Sequence, residues 1–326
     1  MHVNDFADDQ PYKKIPFGSN GKDQICFCIK NNDHSVNYHM FVSGISGSGK
    51  SYAIKKFAVE ASRQGFEVLN IGVSGSTLDF DNADYVDLSD VSDESTATLS
   101  DVFDALRQEK LSDQCRSLLK ILEEIVGDTT VTADLKKWED DYFPLLEDEN
   151  GKSDIVKTVR ALYNGNKLNW QRWCRSGKIT VLEADDKDMA DKLLVDLYSF
   201  KSVQNCSGSC MLIIDECHQL NMNQKSPLAN LLKQGRKYGI MVVLISQFLT
   251  SEDAKNIEYT LKQCTTNVAF KPGDDSRAAK RIGYDLKDSD VRDAVLDIGN
   301  YQCIVKGNFC TDTFAVNYPL ILQIPE

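Results

Sequence analysis

The apolar positions of the chain form short continuous runs in some segments and recur every three or four residues in others. Short runs bounded by turn residues are typical of buried strands. Apolar positions that recur every three or four residues are typical of helices packed on one face. Strands are therefore predicted at 24–29, 37–42, 66–73, 178–183, 211–215, 240–246, 267–270 and 301–306. Helices are predicted at 50–64, 187–204, 227–238 and around 276–282.

The order of these elements predicts the fold class and the domain organisation. Strands alternate with helices on both sides of a long acidic segment, which indicates an α/β fold built on a mostly parallel sheet. Within the acidic segment the apolar positions have helical spacing, so we expect a mainly helical insertion whose three tryptophans pack its own small core. The predicted divisions are an N-terminal arm at 1–23, core at 24–85, the insertion at 86–176 and core again at 177–326.

Composition narrows the partners and the compartment. The chain has 326 residues and a formal net charge of -12, which disfavours a broad basic surface that coats nucleic acid but leaves room for a narrow channel lined by Lys and Arg. Apolar runs long enough to cross a membrane are not seen, and the polar, acidic first residues are unlike a secretory signal. The ten cysteines are irregularly spaced, so a reduced, cytoplasmic protein with buried free thiols is expected.

A phosphate-binding loop is predicted at Gly44 to Ser51, where GISGSGKS matches G-x-x-x-x-G-K-[ST] at every required position. Glycines allow backbone N–H groups to turn towards phosphate oxygens, and the dipole of the following helix adds to the attraction. The match follows an apolar strand and opens a helix, which disfavours a simple Gly/Ser-rich connector. The residues predicted to bind ATP are Gly44, Ser46, Gly47, Ser48, Gly49, Lys50, Ser51 and Tyr52.

Two consecutive carboxylates follow the apolar strand at 211–214. Asp215, with the hydroxyl of Ser51, is predicted to hold Mg²⁺. Glu216 is predicted to be the general base that activates the attacking water. The alternative is a pair of solvated carboxylates at a strand end, and a small-molecule kinase is disfavoured because its acceptor is a substrate hydroxyl.

A third segment combines a basic turn with the apolar strand at 240–246. Gln247 lies at the end of this strand and is predicted to sense the γ-phosphate or to orient water. Arg236, in the basic turn, is predicted to stabilise charge in the transition state, either in its own subunit or in a neighbour's site. The alternatives are a strand cap for Gln247 and a solvated helix end for Arg236.

Zinc is disfavoured although Cys206, Cys210, Cys217 and His218 lie close together in the sequence. Two of these residues directly follow the predicted metal and base carboxylates, so a tetrahedral zinc site there would conflict with nucleotide binding. Buried thiols are the better interpretation.

The three segments, in this order, resemble the HerA/FtsK superfamily of hexameric motor ATPases. The lead-in at 15–18 and the tail at 261–270 and 300–306 are also similar to that superfamily. The resemblance implies a RecA-like core, a hexameric ring, ATP and Mg²⁺, and duplex DNA in a central channel. It also implies that Arg236 acts in trans, with Arg277 and Arg281 as weaker candidates for that role.

Two features of the superfamily are missing, namely an N-terminal β-barrel and a winged-helix DNA reader. We therefore expect the motor domain of a larger restriction or phage-defence protein, of which the DptH component of phosphorothioate-dependent restriction is an example. A nuclease or another defence protein would then be its partner. The competing hypothesis is an ATP-driven switch or assembly module that acts on a protein without moving DNA.

Overall fold

The computed structural model describes most of the predicted core and isolated positions of the acidic segment. The continuous described stretches are 12–30, 36–86, 170–203, 209–247, 262–271, 297–312 and 319–325. The chain divides into two compact units, the first formed by 1–86, 174–191 and 207–326, and the second by 87–173 and 192–206. The sequence had assigned 192–206 to the core, because the apolar spacing runs through the whole of one long helix.

The first unit is built on a single large sheet whose described strands are bounded as follows: β1 Tyr12–Ser19, β2 Gln24–Lys30, β3 Met40–Ser43, β4 Glu67–Val73, β5 Asp84–Val86, β6 Ile179–Ala184, β7 Cys210–Ile214, β8 Ile240–Ser246, β9 Thr266–Phe270, β10 Gln302–Lys306, β11 Phe309–Cys310, β12 Ala315–Val316 and β13 Leu320–Gln323. The strand order is β12-β11-β2-β1-β13-β10-β9-β3-β8-β7-β4-β6-β5. Four α-helices are described: α1 Lys50–Arg63, α2 Trp170–Trp173, α3 Lys187–Val203 and α4 Pro227–Gln234. Short 3₁₀ helices are described at Cys217–Gln219 and Gly235–Tyr238.

The half of the sheet from β9 to β5 is parallel throughout. Its central strands β7 and β8 are buried at every position, as expected for strands covered on both faces. Helix α1 buries the face formed by Ala53, Ile54, Phe57, Ala58 and Ala61 in the main apolar cluster. The predicted parallel α/β core is therefore confirmed.

The other half of the sheet is antiparallel and contains strands that the sequence analysis did not predict. Strand β1 lies within the predicted N-terminal arm, yet it pairs along its length with β2 and contacts β13 at Ser19. Its register shifts between Pro16 and Gly18, and this irregularity hides the strand pattern in the sequence. From Tyr12 onwards the arm is therefore part of the sheet.

The pairing of β11 with β2 also overturns one expectation about the cysteines. Cys28 and Cys310 form a disulfide across these strands, and Cys26 belongs to the same small buried cluster. The two partners are 282 residues apart in the sequence, so their approach depends on an antiparallel pairing that the spacing of cysteines does not reveal. Cys26, Cys217, Cys264 and Cys303 are buried free thiols, as expected.

His39, for which the sequence suggested no role, connects β3 to both neighbouring strands. Its Nδ1 accepts a hydrogen bond from the Val242 N–H at 3.0 Å, and its carbonyl accepts one from the Thr266 N–H at 3.1 Å. The side chain is fully buried, and burial lowers its pKa to about 4. His39 is therefore a neutral structural residue that fixes the register of three central strands.

In the second unit, three of the described aromatic residues pack on one another. Trp170 and Trp173 meet edge to face with ring centroids 5.2 Å apart, and Phe200 lies 6.5 Å from Trp170. Both tryptophans are buried, in agreement with a local core. Trp138, and the helix expected around 276–282, lie outside the described residues.

A search of the described helices for one long and apolar enough to cross a membrane finds none.

Candidate nucleotide site

Four parallel strands bring the predicted site residues to one edge of the sheet. The phosphate-binding loop follows β3, which lies between β9 and β8, and β7 is the next strand along. Because parallel strands end at a common edge, the residues after β3, β8 and β7 are neighbours there. Gln247 therefore leaves the sheet between the loop and the carboxylates Asp215 and Glu216.

The loop itself depends on glycines with positive φ angles. Gly44, Gly47 and Gly49 have φ values of 147°, 74° and 101°, which other residues adopt only with strain. A Cβ added to Gly44 would lie 2.7 Å from the Cβ of Phe270. The adjacent Ile45 N–H donates to the carbonyl of Lys271 at 2.9 Å, so the loop is anchored to the end of β9.

Lys50 is the cation of the site. Its ammonium is buried and donates to the carbonyl of Ile45 at 2.8 Å. Burial lowers its pKa, while the nearby carboxylates of Glu216 and Asp215 act in the opposite direction. The ammonium is thus held over the loop in a position to bind phosphate oxygens.

Asp215 and Glu216 form a tight turn at the end of β7. The backbone N–H of Glu216 donates to Oδ1 of Asp215 at 2.8 Å, and burial raises the pKa of Asp215. Glu216 has a φ of 46°, and its carbonyl accepts from the N–H of Gln219 at 2.8 Å. Glu216 therefore has a strained backbone conformation, which the bond from Gln219 helps to hold.

The carboxylate of Glu216 is positioned from the end of β8. Its Oε1 accepts a hydrogen bond from Nε2 of Gln247. Its Oε2 is buried, has no hydrogen-bond partner among the described residues, and lies 3.3 Å from Nδ1 of His218. The same Nδ1 is 3.3 Å from the hydroxyl of Ser246. His218 therefore lies between Ser246 and Glu216, and Oε2 of Glu216 can still accept a hydrogen bond from a water molecule.

These residues line a pocket of about 230 Å³. Its described lining is Ser46, Gly47, Gly49, Lys50, Ser51, Tyr52, Asp215, Glu216, Gln247 and Tyr301. Of the predicted nucleotide-binding residues, Gly44 and Ser48 do not line it. The Ser48 hydroxyl instead donates to the Ile45 carbonyl at 2.7 Å and shapes the loop.

Two residues at the site were not predicted to belong to it. Tyr301 lines the pocket, and His218, which was weighed only as a zinc ligand, lies beside Glu216. Tyr301 reaches the site because β10 runs antiparallel to β9, so the turn before β10 lies beside the end of β9. Local sequence patterns carry no signal for this placement. His218 could have been suspected from its position two residues after Glu216.

The lining fits a magnesium ion better than zinc. Ser51 and Asp215 share the pocket, and Mg²⁺ is usually held by one or two protein oxygens together with phosphates and water. Cys210 and Cys217 lie at opposite ends of β7, and the described residues contain no cluster of three His, Cys, Asp or Glu side chains of the kind that holds zinc. Cys217 is fully buried, which raises its pKa, in agreement with an inert thiol.

Arg236 does not reach the pocket of its own chain. It lies in the 3₁₀ turn before β8, beside Tyr38 and Phe66, whereas Gln247 follows the other end of that strand. Seven residues of β8 at about 3.3 Å each separate the two ends by roughly 20 Å. Arg236 is therefore too far away to contact a nucleotide in the pocket of its own subunit. Arg277 and Arg281 lie outside the described residues.

Comparisons with known proteins give no match to a family model or to a curated protein. Among solved structures, the chain is similar to VirB4 of Thermoanaerobacter pseudethanolicus, with a TM-score of 0.54 at 15% identity, over 100% of this chain and 98% of that chain. This likeness concerns the fold, and it confirms the expected RecA-like α/β fold.

Two other solved structures give lower scores. The plasmid coupling protein TrwB in complex with ADP and Mg²⁺ has a TM-score of 0.45 at 16% identity, over 100% of this chain and 97% of that chain. The genome packaging NTPase B204 from Sulfolobus turreted icosahedral virus 2, in complex with AMPPCP, has a TM-score of 0.44 at 12% identity, over 89% and 99%. The fold comparison rests on VirB4.

The loop geometry predicts different costs for two glycine substitutions. Gly44→Ala combines a positive φ with a contact on Phe270, so we expect the free energy of unfolding to fall by about 3 kcal/mol. Gly47→Ala has a positive φ and nothing within 4 Å of the new Cβ, so a loss of about 1 kcal/mol is expected. Urea unfolding of both variants measures the difference, and equal losses would contradict the packing described for Gly44.

Proposed function

We propose that this chain hydrolyses ATP with Mg²⁺ and is the motor of a ring-shaped, HerA/FtsK-like DNA translocase in a DNA-processing or phage-defence system. The observation that carries the proposal is the convergence of Lys50, Asp215, Glu216 and Gln247 on one pocket beside a glycine-rich loop. A phosphate-binding loop alone is compatible with several uses of a nucleotide. The buried Glu216 carboxylate, held by Gln247, is what favours hydrolysis.

In the proposed reaction each group of the chain has one task. Backbone N–H groups of the loop and the Lys50 ammonium bind the β- and γ-phosphates. Glu216 Oε2 accepts a proton from water as that water attacks the γ-phosphorus, and the bond from phosphorus to the bridging oxygen of ADP breaks. Gln247 keeps Glu216 oriented, and Mg²⁺, held by Ser51 and Asp215, neutralises charge on the phosphate oxygens when bound.

A substitution of Glu216 separates nucleotide binding from hydrolysis. Glu216→Gln preserves the shape and the contact with Gln247 but removes the proton acceptor. We expect ATP affinity within a few-fold of the parental protein and a hydrolysis rate lowered by roughly 10²-fold or more. Calorimetry measures the binding, and release of inorganic phosphate measures the rate.

Lys50→Ala is the matched control, because it removes the buried cation and should abolish binding of ATP as well as turnover. If Glu216→Gln hydrolyses ATP near the parental rate while Lys50→Ala is inactive, the site is a nucleotide site with a different base. If both variants retain parental turnover, the activity belongs elsewhere.

DNA as the substrate of the motor is supported by the three-segment resemblance. The net charge of -12 disfavours a broad positive surface, so we propose that DNA is held by a local basic channel formed on assembly. We therefore expect duplex DNA to raise the ATPase rate several-fold, and the effect to weaken as salt is increased. Sedimentation with and without ATP and duplex DNA should show a ring that forms with both.

The net charge of -12 also favours a second candidate function, in which the chain acts on a protein and does not move DNA. An ATP-driven switch or assembly module would hydrolyse ATP slowly and respond to a protein, such as a nuclease of the same defence system. An ATPase rate that stays flat for every DNA in the assembled oligomer would reject the translocase. Association with a co-expressed partner that depends on ATP would then favour the switch.

The ring implies that a neighbour supplies Arg236. Arg236→Ala and Lys50→Ala should each abolish turnover when assayed alone. A mixture should recover part of the activity, because an intact Arg236 from one variant can face an intact Lys50 in the other. Phosphate release from mixed oligomers measures this recovery.

Lys237→Ala is the control for Arg236, since it removes the adjacent exposed cation and should leave turnover at the parental level. Thermal unfolding of Arg236→Ala checks that the contacts around Arg236 are not needed for folding. Recovery that is absent from well-folded mixed oligomers would show that Arg236 is not the trans-acting residue.

A further inference from the structure

Besides its charged residues, the nucleotide pocket has an aromatic side. Tyr52, in the first turn of α1, and Tyr301, in the turn before β10, both line the pocket. Their rings meet edge to face, with centroids 5.6 Å apart and planes at 81°. Lys56 Nζ lies 4.6 Å from the centroid of the Tyr52 ring. The Tyr52 ring therefore contacts both Tyr301 and Lys56.

Tyr301 is fixed to the phosphate-binding loop through its backbone. Its N–H donates to the Ser48 carbonyl at 3.1 Å, and its carbonyl accepts from the Ile324 N–H at 2.8 Å. The ring packs directly over Gly49, where an added Cβ would lie 2.9 Å from Tyr301 Cδ1. The loop that would hold the phosphates and this ring therefore form one rigid unit.

Tyr301 combines an unfavourable backbone conformation with partial exposure of its side chain. Its φ is 59°, a left-handed conformation that disfavours a bulky side chain. The residue is nevertheless 42% exposed, so little apolar burial compensates for the strain. Strained, exposed aromatic residues beside a pocket are typical of positions that contact a ligand.

We propose that Tyr301 stacks on the base of the bound nucleoside triphosphate and, with Tyr52, forms its base-binding platform. This inference rests on the proposed function. The pocket volume of about 230 Å³ is below the range of roughly 300–1,000 Å³ usual for pockets that enclose a whole drug-sized ligand. The triphosphate fills the enclosed part, and the base projects to the surface where Tyr301 is exposed.

The platform also predicts weak discrimination between bases. In the described lining, the carboxylate and amide side chains are Asp215, Glu216 and Gln247. The proposed function assigns them to Mg²⁺, to the attacking water and to the orientation of Glu216, and none of them to the base. Stacking does not depend on base identity, because every base has a π-face. ATP and GTP should therefore bind with affinities within a few-fold of each other.

The test is a calorimetric titration of the full chain with magnesium complexes of three ligands. These are the β,γ-imido analogues of ATP and GTP, which are not hydrolysed, and inorganic tripolyphosphate, which has no base. Tyr301→Asn removes the ring and tolerates a left-handed backbone, so this variant should fold. Tyr301→Phe is the matched control, because it keeps the ring, and both variants keep the backbone N–H that donates to Ser48.

We expect Tyr301→Asn to weaken both nucleotide analogues by roughly tenfold or more and to leave tripolyphosphate unchanged. Tyr301→Phe should bind all three ligands like the parental protein. Equal weakening of tripolyphosphate, or parental affinity for the nucleotides in Tyr301→Asn, would overturn the stacking role. Parental protein that binds tripolyphosphate but discriminates strongly between the two analogues would overturn the predicted tolerance, whereas failure to bind any ligand would reject the proposed function itself.

Discussion

The register of β9, β3, β8 and β7 is the constraint on which the whole site depends. Ser43 at the end of β3 pairs with Ser246 on one side and with Ala269 on the other, so the phosphate-binding loop starts level with the ends of both neighbours. On the far side of β8, Ile214 pairs with Leu244, which places Glu216 level with Ser246 and next to Gln247, the following residue. A slip of one residue in either pairing would turn side chains to the opposite face and separate Glu216 from Gln247.

The described non-glycine residues with positive φ angles are Ser74, Glu216 and Tyr301, and the proposed function uses the last two. Glu216 and Tyr301 both have left-handed φ angles, each at a cost of about 1–3 kcal/mol. Both have backbone carbonyls that accept hydrogen bonds at 2.8 Å from defined donors. These hydrogen bonds hold both residues in the strained conformation. The carboxylate of Glu216 and the ring of Tyr301 then both line the pocket.

Local patterns predicted the parallel strands and most of the candidate site, because buried apolar runs and the motifs that follow them are contiguous in sequence. Residues brought in by antiparallel pairing were missed. Strand β1 was hidden by Pro16 and Gly18, and the approach of Cys28 to Cys310 depends on a strand of only two residues. Tyr301 belongs to the same class, since its position follows from the pairing of β10 with β9 and from nothing in its immediate neighbourhood.

The charge of the pocket gives the physical reason for placing Arg236 in trans. The described lining contains one cation, Lys50, and two carboxylates, Asp215 and Glu216, so it carries net negative charge before any phosphate is bound. As the bond to the bridging oxygen breaks, negative charge develops on the oxygen that leaves with ADP and is spread over the γ-phosphate oxygens, and cations stabilise this charge. Since the other end of β8 keeps Arg236 about 20 Å away from its own pocket, a second subunit is the geometrically available source. Assembly of the proposed ring would then complete the charge balance of each nucleotide site.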